Sequence, residues 1–340
     1  KPPPIQQKGV ALISVLLAVA LCVILASEML MQQSIQVKRV QNLLERQQAY
    51  WYARGSEHFV RSLLENIVKD EDGVIHLEQN WALTGMSFPV PDGLIEGEIF
   101  DLNSCFNLNS LYRSDWDDEQ RKKHKQMFIR YLDKLEIESE NSVEDLANNI
   151  FDWLDPDDYP EEAVGYDGDM YASMPFPYLS ANSPLAHENE LRVVYGFDSI
   201  VMAQLQDKVC VIPDYNKHII NVNTLDSENT ELLAAILDVD DDTASNILSE
   251  RPQDGFKDIQ AFFDLQKVQE VNNFDQIDKS QFTVKSKFFK LVTNAYYNDM
   301  KFDLTSVMQL NDFNKIQVIA RRFGGKVERE ADTETEQSKP

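Results

Sequence analysis

The chain opens with an uninterrupted apolar run, VALISVLLAVALCVILAS, from Val10 to Ser27, with no charged side chain in it. Eighteen helical residues at about 1.5 Å each reach roughly 27 Å, close to the hydrocarbon thickness of a bilayer, so 10–27 reads as a transmembrane segment. Beyond it the apolar positions thin out but keep a helical rhythm. Met29, Leu30, Ile35, Val37, Val40, Leu43 and Leu44 lead into Tyr50, Trp51 and Tyr52, then Phe59, Val60, Leu63, Leu64 and Val68. No proline falls between Pro4 and Pro89, and Gly55 is the one weak position. The pattern predicts a single helix of about 55 residues, ending near residue 68, with its first third in lipid and its last third packed on a globular body. A cleaved signal peptide also fits Lys8 and the small pair Ala26-Ser27, but it leaves the continuing helical pattern unexplained.

Past the helix the period changes. Gly93 to Ser110 alternates apolar and polar positions, which predicts strands and then a turn at Asn103-Ser104; Phe282–Leu291 and Lys315–Phe323 also read as strands. Residues from about 112 to 280 are mainly helical by pattern, with Asp, Asn and Pro at the joints. The fold class expected is α+β. A long helix lies on a small antiparallel sheet built from 28–111 and 281–326, and a helical domain, 112–280, is inserted into the sheet's connectivity. Residues 327–340, an acidic low-complexity stretch, read as a disordered tail. At 340 residues the chain exceeds one ordinary core, so two or three structural units are expected.

Charge narrows the function classes. The net charge is −25, and all 57 acidic residues lie beyond residue 27. Such a field repels phosphate backbones, so no nucleic-acid partner is expected. The basic run Arg121–Lys125 follows Asp115, Asp117, Asp118 and Glu119 and reads as the solvated face of a helix. Signatures of nucleophilic hydrolases, zinc proteases and phosphate-binding loops are missing, and His58, His76, His124, His187 and His218 lack metal-ligand spacing. No catalytic residue is assigned, and the chain is not expected to be an enzyme.

The strongest ligand candidate is the acidic loop 152–171, in which Asp155, Asp157, Asp158, Glu161, Asp167 and Asp169 crowd among Pro, Gly and Tyr. Hard oxygen donors in a turn-rich loop suit a structural Ca²⁺, which takes six to eight oxygens in flexible geometry; a solvated acidic loop is the competing reading. A second cluster, Asp238–Asp242, imitates the start of an EF-hand, but Thr243 and Ser249 stand where the glycine and glutamate belong. Leu232, Ile236 and Ala244 around Asp238-Val239-Asp240 instead follow a helix-hairpin-helix within 219–265. Aspartates at both hairpin glycine positions would repel phosphate, so the element reads as a protein-contact module. Cys22 lies in the apolar run. If the body is outside the cytoplasm, Cys105 and Cys210 can form one bridge worth about 4–5 kcal/mol on the chain-entropy model; otherwise they are two buried thiols.

Lys8-Gly9 directly before an apolar helix resembles a type IV prepilin leader. That class implies a membrane prepilin peptidase that cuts after Gly9 and methylates the new amine of Val10, which leaves 1–9 as a leader remnant. At the fifth mature position, where most such proteins carry Glu, this chain has Ser14. The body resembles the general secretion pathway protein K family, the large minor pseudopilin of type II secretion. The resemblance rests on Ala49–Glu57, Phe106-Asn107-Leu108-Asn109, Asp152-Trp153-Leu154-Asp155, Glu190-Leu191-Arg192 with Gly196, Asn221-Val222-Asn223-Thr224 and Phe282-Thr283-Val284, in that order up to about Lys326. It implies a pseudopilus-tip subunit in the inner membrane with a periplasmic body, assembling with the I and J minor pseudopilins, other pseudopilins and the inner-membrane platform. It also implies calcium in the helical domain, although the family's acidic run reads Asp167-Gly168-Asp169 here. The first assembly contacts are expected from Ser14, Met29, Leu30, Val37, Val40 and Leu44 on the helix. Two other readings stay open: a minor pilin of a type IV or competence pilus, and a membrane-tethered, calcium-dependent periplasmic enzyme or binding protein.

Overall fold

One helix, α1 (Val10–Asp70), accounts for the first 61 residues of the computed structural model, which describes residues 10–160, 166–227, 230–272 and 274–324. At about 1.5 Å per residue α1 is roughly 90 Å long. Every residue from Leu12 to Leu44 is exposed. The helix first touches the body at Glu45, which accepts from Asn298 Nδ2 at 3.3 Å, and packs on it where Ala49, Ala53, Glu57, Val60, Leu64 and Val68 become buried, at steps of three and four residues that line one face. It stops where Gly73, at φ 83°, turns its N–H back to the Val68 carbonyl at 2.8 Å.

The face of α1 that enters the body lies on an antiparallel sheet. In chain order the strands are β1 (Met86–Val90), β2 (Gly93–Asp101), the two-residue strands β3 (Phe106–Asn107), β4 (Val209–Cys210), β5 (Ile220–Asn221) and β6 (Phe282–Thr283), then β7 (Phe288–Tyr297), β8 (Met300–Leu310) and β9 (Ile316–Phe323). The five-stranded sheet has the order β1-β2-β7-β8-β9, and β3–β4 and β5–β6 pair separately in parallel. Gly93 lies where β2 meets β7 so closely that a Cβ would sit 2.1 Å from the Tyr296 carbonyl oxygen; only glycine fits. Val60, Leu64 and Val68 pack against Ile99, Phe289, Leu291 and Met308. One charged pin crosses this core. Glu57, buried on α1, accepts hydrogen bonds from Arg321 (2.8 and 3.2 Å) and Ser306 (2.5 Å) and pairs with Arg54 at 2.8 Å.

The strand expectations need three corrections. Phe282–Leu291 is not one strand: β6 belongs to the insertion, the chain turns through 284–287, and β7 runs on to Tyr297. The break lies where Ser286 leaves strand pairing to donate to the buried Asp101 carboxylate. β8, an interior strand of the sheet, was not anticipated, because its inward row reads Leu304, Ser306, Met308 and the serine serves Glu57. β1 was also not anticipated; it is a short edge strand carrying Pro89, which the edge tolerates.

The insertion leaves the sheet after Asp101 and returns at Phe288, between two strands that are direct neighbours. It therefore runs beyond 112–280 at both ends. It holds α2 (Asp118–Lys134), α3 (Val143–Leu154), α4 (Gly168–Ala172), α5 (Ser199–Leu205), α6 (Glu231–Leu237), α7 (Asp241–Leu248), α8 (Ile259–Phe263) and α9 (Gln266–Gln269) around its own apolar core. The Arg121–Lys125 run lies on α2, with Lys122 and Lys123 exposed. Buried asparagines hold the irregular parts together by imitating a backbone partner. Asn109 donates to Leu185 O (2.9 Å) and accepts from Leu185 N (2.8 Å); Asn223 does the same with Phe256 (2.9 and 2.7 Å). The Asn-Leu-Asn and Asn-Val-Asn motifs are thus clamps. Cys105 and Cys210 are joined by a disulfide across the start of the insertion, with Cα atoms 5.9 Å apart.

Candidate metal centre and assembly face

The acidic loop is framed by two helix ends. Asp155 is the C-cap of α3 and Asp167 the N-cap of α4, while Asp157 sits in the turn between them and accepts from Tyr159 N at 3.0 Å. Asn149 on α3 fixes the return of the loop: its Oδ1 accepts from Tyr166 N (3.2 Å) and its Nδ2 donates to Tyr195 O (3.0 Å). Asp155, Asp157 and Asp167 each present a carboxylate oxygen within 4.8 Å of the others. Two oxygens on one Ca²⁺ lie at most about 5.2 Å apart, so a single ion can bridge all three.

One carboxylate oxygen of this group is left without a hydrogen bond. Asp167 Oδ1 accepts from the Gly168 N–H at 2.8 Å, whereas Oδ2 is buried with no hydrogen-bond partner. Burial pushes the Asp167 carboxyl above its ordinary value, and the Asp158 and Asp157 carboxylates push the same way, against the nearby Ser180 hydroxyl and the Gly168 N–H. The donor set is carboxylate oxygen without His or Cys, the ligand type that hard ions such as Ca²⁺ take.

Not every expected ligand joins this group. Asp158 stands beside it and accepts from Asn182 Nδ2 at 2.8 Å. Asp169 is exposed in the first turn of α4 and is not in the cluster, because starting the helix at Gly168 rotates it outward. Glu161 lies outside the described residues, as do Gly9 and 327–340. The departure at Gly168 has a steric basis: a Cβ there would come within 3.1 Å of Asp158 Oδ1, so the residue keeps room for a carboxylate it does not itself supply.

Three aspartates of the second acidic cluster have partners within the chain. Asp240 caps α7 by accepting from Thr243 N (2.7 Å), Asp241 pairs with Lys134 (3.3 Å), and Asp238, in a left-handed conformation at φ 55°, pairs with Arg130 (3.4 Å). α6 and α7 do form a helix-hairpin-helix. Its Val239 N–H already donates to Ala234 O at 3.0 Å, so this hairpin N–H is not free for a phosphate.

The helix face expected to make assembly contacts is bare. Met29, Leu30, Val37, Val40 and Leu44 are all more than half exposed. Leu30, Val37, Leu44 and Trp51 recur every seven residues, and this line points away from the buried Ala49–Val68 face. Ser14 falls within the helix that is long and apolar enough to cross a membrane.

Two family models described as type II secretion system (T2SS), protein K match residues 104–214 and 220–285. Type II secretion system protein K of Aeromonas hydrophila is 35% identical over 328 residues, covering 94% of this chain and 98% of that protein. The Pectobacterium carotovorum subsp. carotovorum protein of the same description is 32% identical over 325 residues, covering 94% and 97%. Among solved structures, a chain of the GspK-GspI-GspJ complex from the enterotoxigenic Escherichia coli type 2 secretion system superposes with a TM-score of 0.76 at 28% identity, over 85% of this chain and 100% of that one.

Proposed function

The chain belongs to the type II secretion system protein K family, and from that premise we propose that it is a minor pseudopilin at the tip of a secretion pseudopilus, anchored in the inner membrane with its body in the periplasm. The observation that carries the reading is the pairing of a roughly 90 Å helix, bare from Leu12 to Leu44, with a bulky insertion in the loop between adjacent strands β2 and β7. A bare apolar helix needs neighbours, and a side domain of this size obstructs packing midway along a thin filament but projects freely at its end. Ser14 supports the same place, since a carboxylate in hydrocarbon persists only where a partner neutralises it, and a terminal subunit lacks one.

The partners are I- and J-type minor pseudopilins, which the solved relative's complex contains. The prepilin peptidase, the other pseudopilins and the inner-membrane platform follow from membership in the assembly. The chain acts as a structural subunit that starts assembly for export of folded proteins, not as an enzyme. Neither a type IV or competence minor pilin nor a tethered hydrolase is favoured by these relatives. Calcium held by Asp155, Asp157 and Asp167 would offset two of their three charges and fix α3 against α4. Its role is structural.

The test is to mix the full-length chain in detergent with purified I and J partners from the same system, at micromolar concentration, and measure mass by light scattering. A complex containing all three is expected. Recovery of this chain only as a monomer would defeat the proposal.

A further inference from the structure

Where α1 crosses the sheet it leaves an apolar slot of about 210 Å³ open to the outside. α1 supplies Gly55 and Phe59; the strands supply Phe88, Ile95, Gly97 and Ile99. The exposed rings of Phe59 and Phe88 flank it, 5.5 Å apart. The one hydroxyl on its wall, Ser56, is engaged with Ala53 O (2.7 Å) and Thr293 (2.9 Å), so the slot offers an incoming group no polar partner.

Both glycines are unexplained by the fold. Gly55 lies mid-helix, where glycine is the poorest former after proline, and no atom lies within 4 Å of the position its Cβ would take. Gly97 lies mid-strand, and a Cβ there would meet its nearest neighbours at 3.9 Å, an ordinary contact. Neither has a positive φ. What the two share is the slot, which a side chain at either position would fill.

The slot also terminates a longer feature. At 100° per residue Gly55 lies in register with Val37 and 40° from Trp51, and Phe59 lies 80° from Trp51, so one broad apolar face runs from the membrane segment to the slot. From Met29 to Phe59 it spans about 45 Å. An occupant that covers both face and slot is a helix leaving the same membrane in the same direction.

We propose that this slot receives one large apolar side chain from the membrane-anchored helix of a partner pseudopilin lying parallel to α1, and that Gly55 and Gly97 are retained to admit it. The proposal rests on the pseudopilin reading above and adds the point at which the partner's register is read.

The experiment uses full-length wild type, Gly55→Ala, Gly55→Leu and Gly97→Val, with purified I and J partners in detergent. Melting checks the fold; binding titrations check the slot. Gly55→Ala should melt at or above wild type and bind within about threefold of it, since one methyl leaves most of the space. Gly55→Leu and Gly97→Val, which fill the slot from opposite walls, should keep wild-type melting but bind at least tenfold more weakly. A photo-crosslinker at position 59 should capture the N-terminal helix of a partner. Wild-type-like binding by both folded slot-filling variants, or capture of only a second copy of this chain, overturns the slot while leaving the pseudopilin reading standing. Failure of the wild type itself to bind sinks both.

Discussion

Asp101 ends β2 at the point where the chain leaves the sheet, and it ties that point to the insertion. Its Oδ2 accepts from the hydroxyls of Thr224 (2.5 Å) and Ser286, and its Oδ1 accepts from Asn103 N at 2.8 Å. Burial outweighs these donors and pushes the carboxyl from 3.8 up to about 6. The folded state therefore holds this proton more tightly than the unfolded chain. Well below pH 3.8 both states are protonated and nothing is lost; as pH rises from 3.8 through about 6 the folded state loses stability, and well above 6 the loss is constant. A shift of about two units corresponds to roughly 3 kcal/mol. Asp101→Asn cannot ionise, and the Thr224 hydroxyl can turn to the Asn221 carbonyl, which it already reaches at 3.2 Å. Urea unfolding of wild type and variant, followed by tryptophan fluorescence from pH 4 to 7, isolates the group because the other carboxylates cancel in the difference. The stability of Asp101→Asn relative to wild type should rise by roughly 2.5 kcal/mol across that window, mostly below pH 6. A difference that does not change with pH would refute the dry, buried junction from which the argument starts.

Three further outcomes are expected. Arg321→Ala should lower stability by about 2 kcal/mol in urea unfolding; breaking a buried pair costs more, but Arg321 is a third exposed and Arg54 and Ser306 still serve Glu57. Replacing Cys105 and Cys210 together by Ser should cost about 4–5 kcal/mol, since the bridge closes a span of 105 residues, and reductant should lower the wild-type midpoint but not the variant's. Calcium but not magnesium should raise the melting temperature of metal-stripped protein, by the equivalent of about 2.7 kcal/mol at a hundredfold excess over Kd, and Asp167→Asn should abolish the rise.

What could be read from the sequence depended on whether one physical signal governed a segment. α1 was legible because helical periodicity runs on without proline from the apolar run to Val68. β8 was not, because the inward serine that satisfies Glu57 breaks strand alternation, and that partnership joins residues 249 apart. The crowding of carboxylates at 155, 157 and 167 was legible from the acidic loop, but the outward turn of Asp169 follows from where α4 begins. Gly55 read as a weak point of the helix. Its meaning lies in Gly97 across the slot, a juxtaposition that only the packing of α1 on β2 creates.

Assembly through a retained, lipid-embedded α1 is the claim on which the functional account stands. Intact-mass measurement of the polypeptide recovered from cell membranes tests it directly. The account predicts a chain that begins at N-methylated Val10 and keeps residues 10–27; a chain that begins after Ala26 would contradict it.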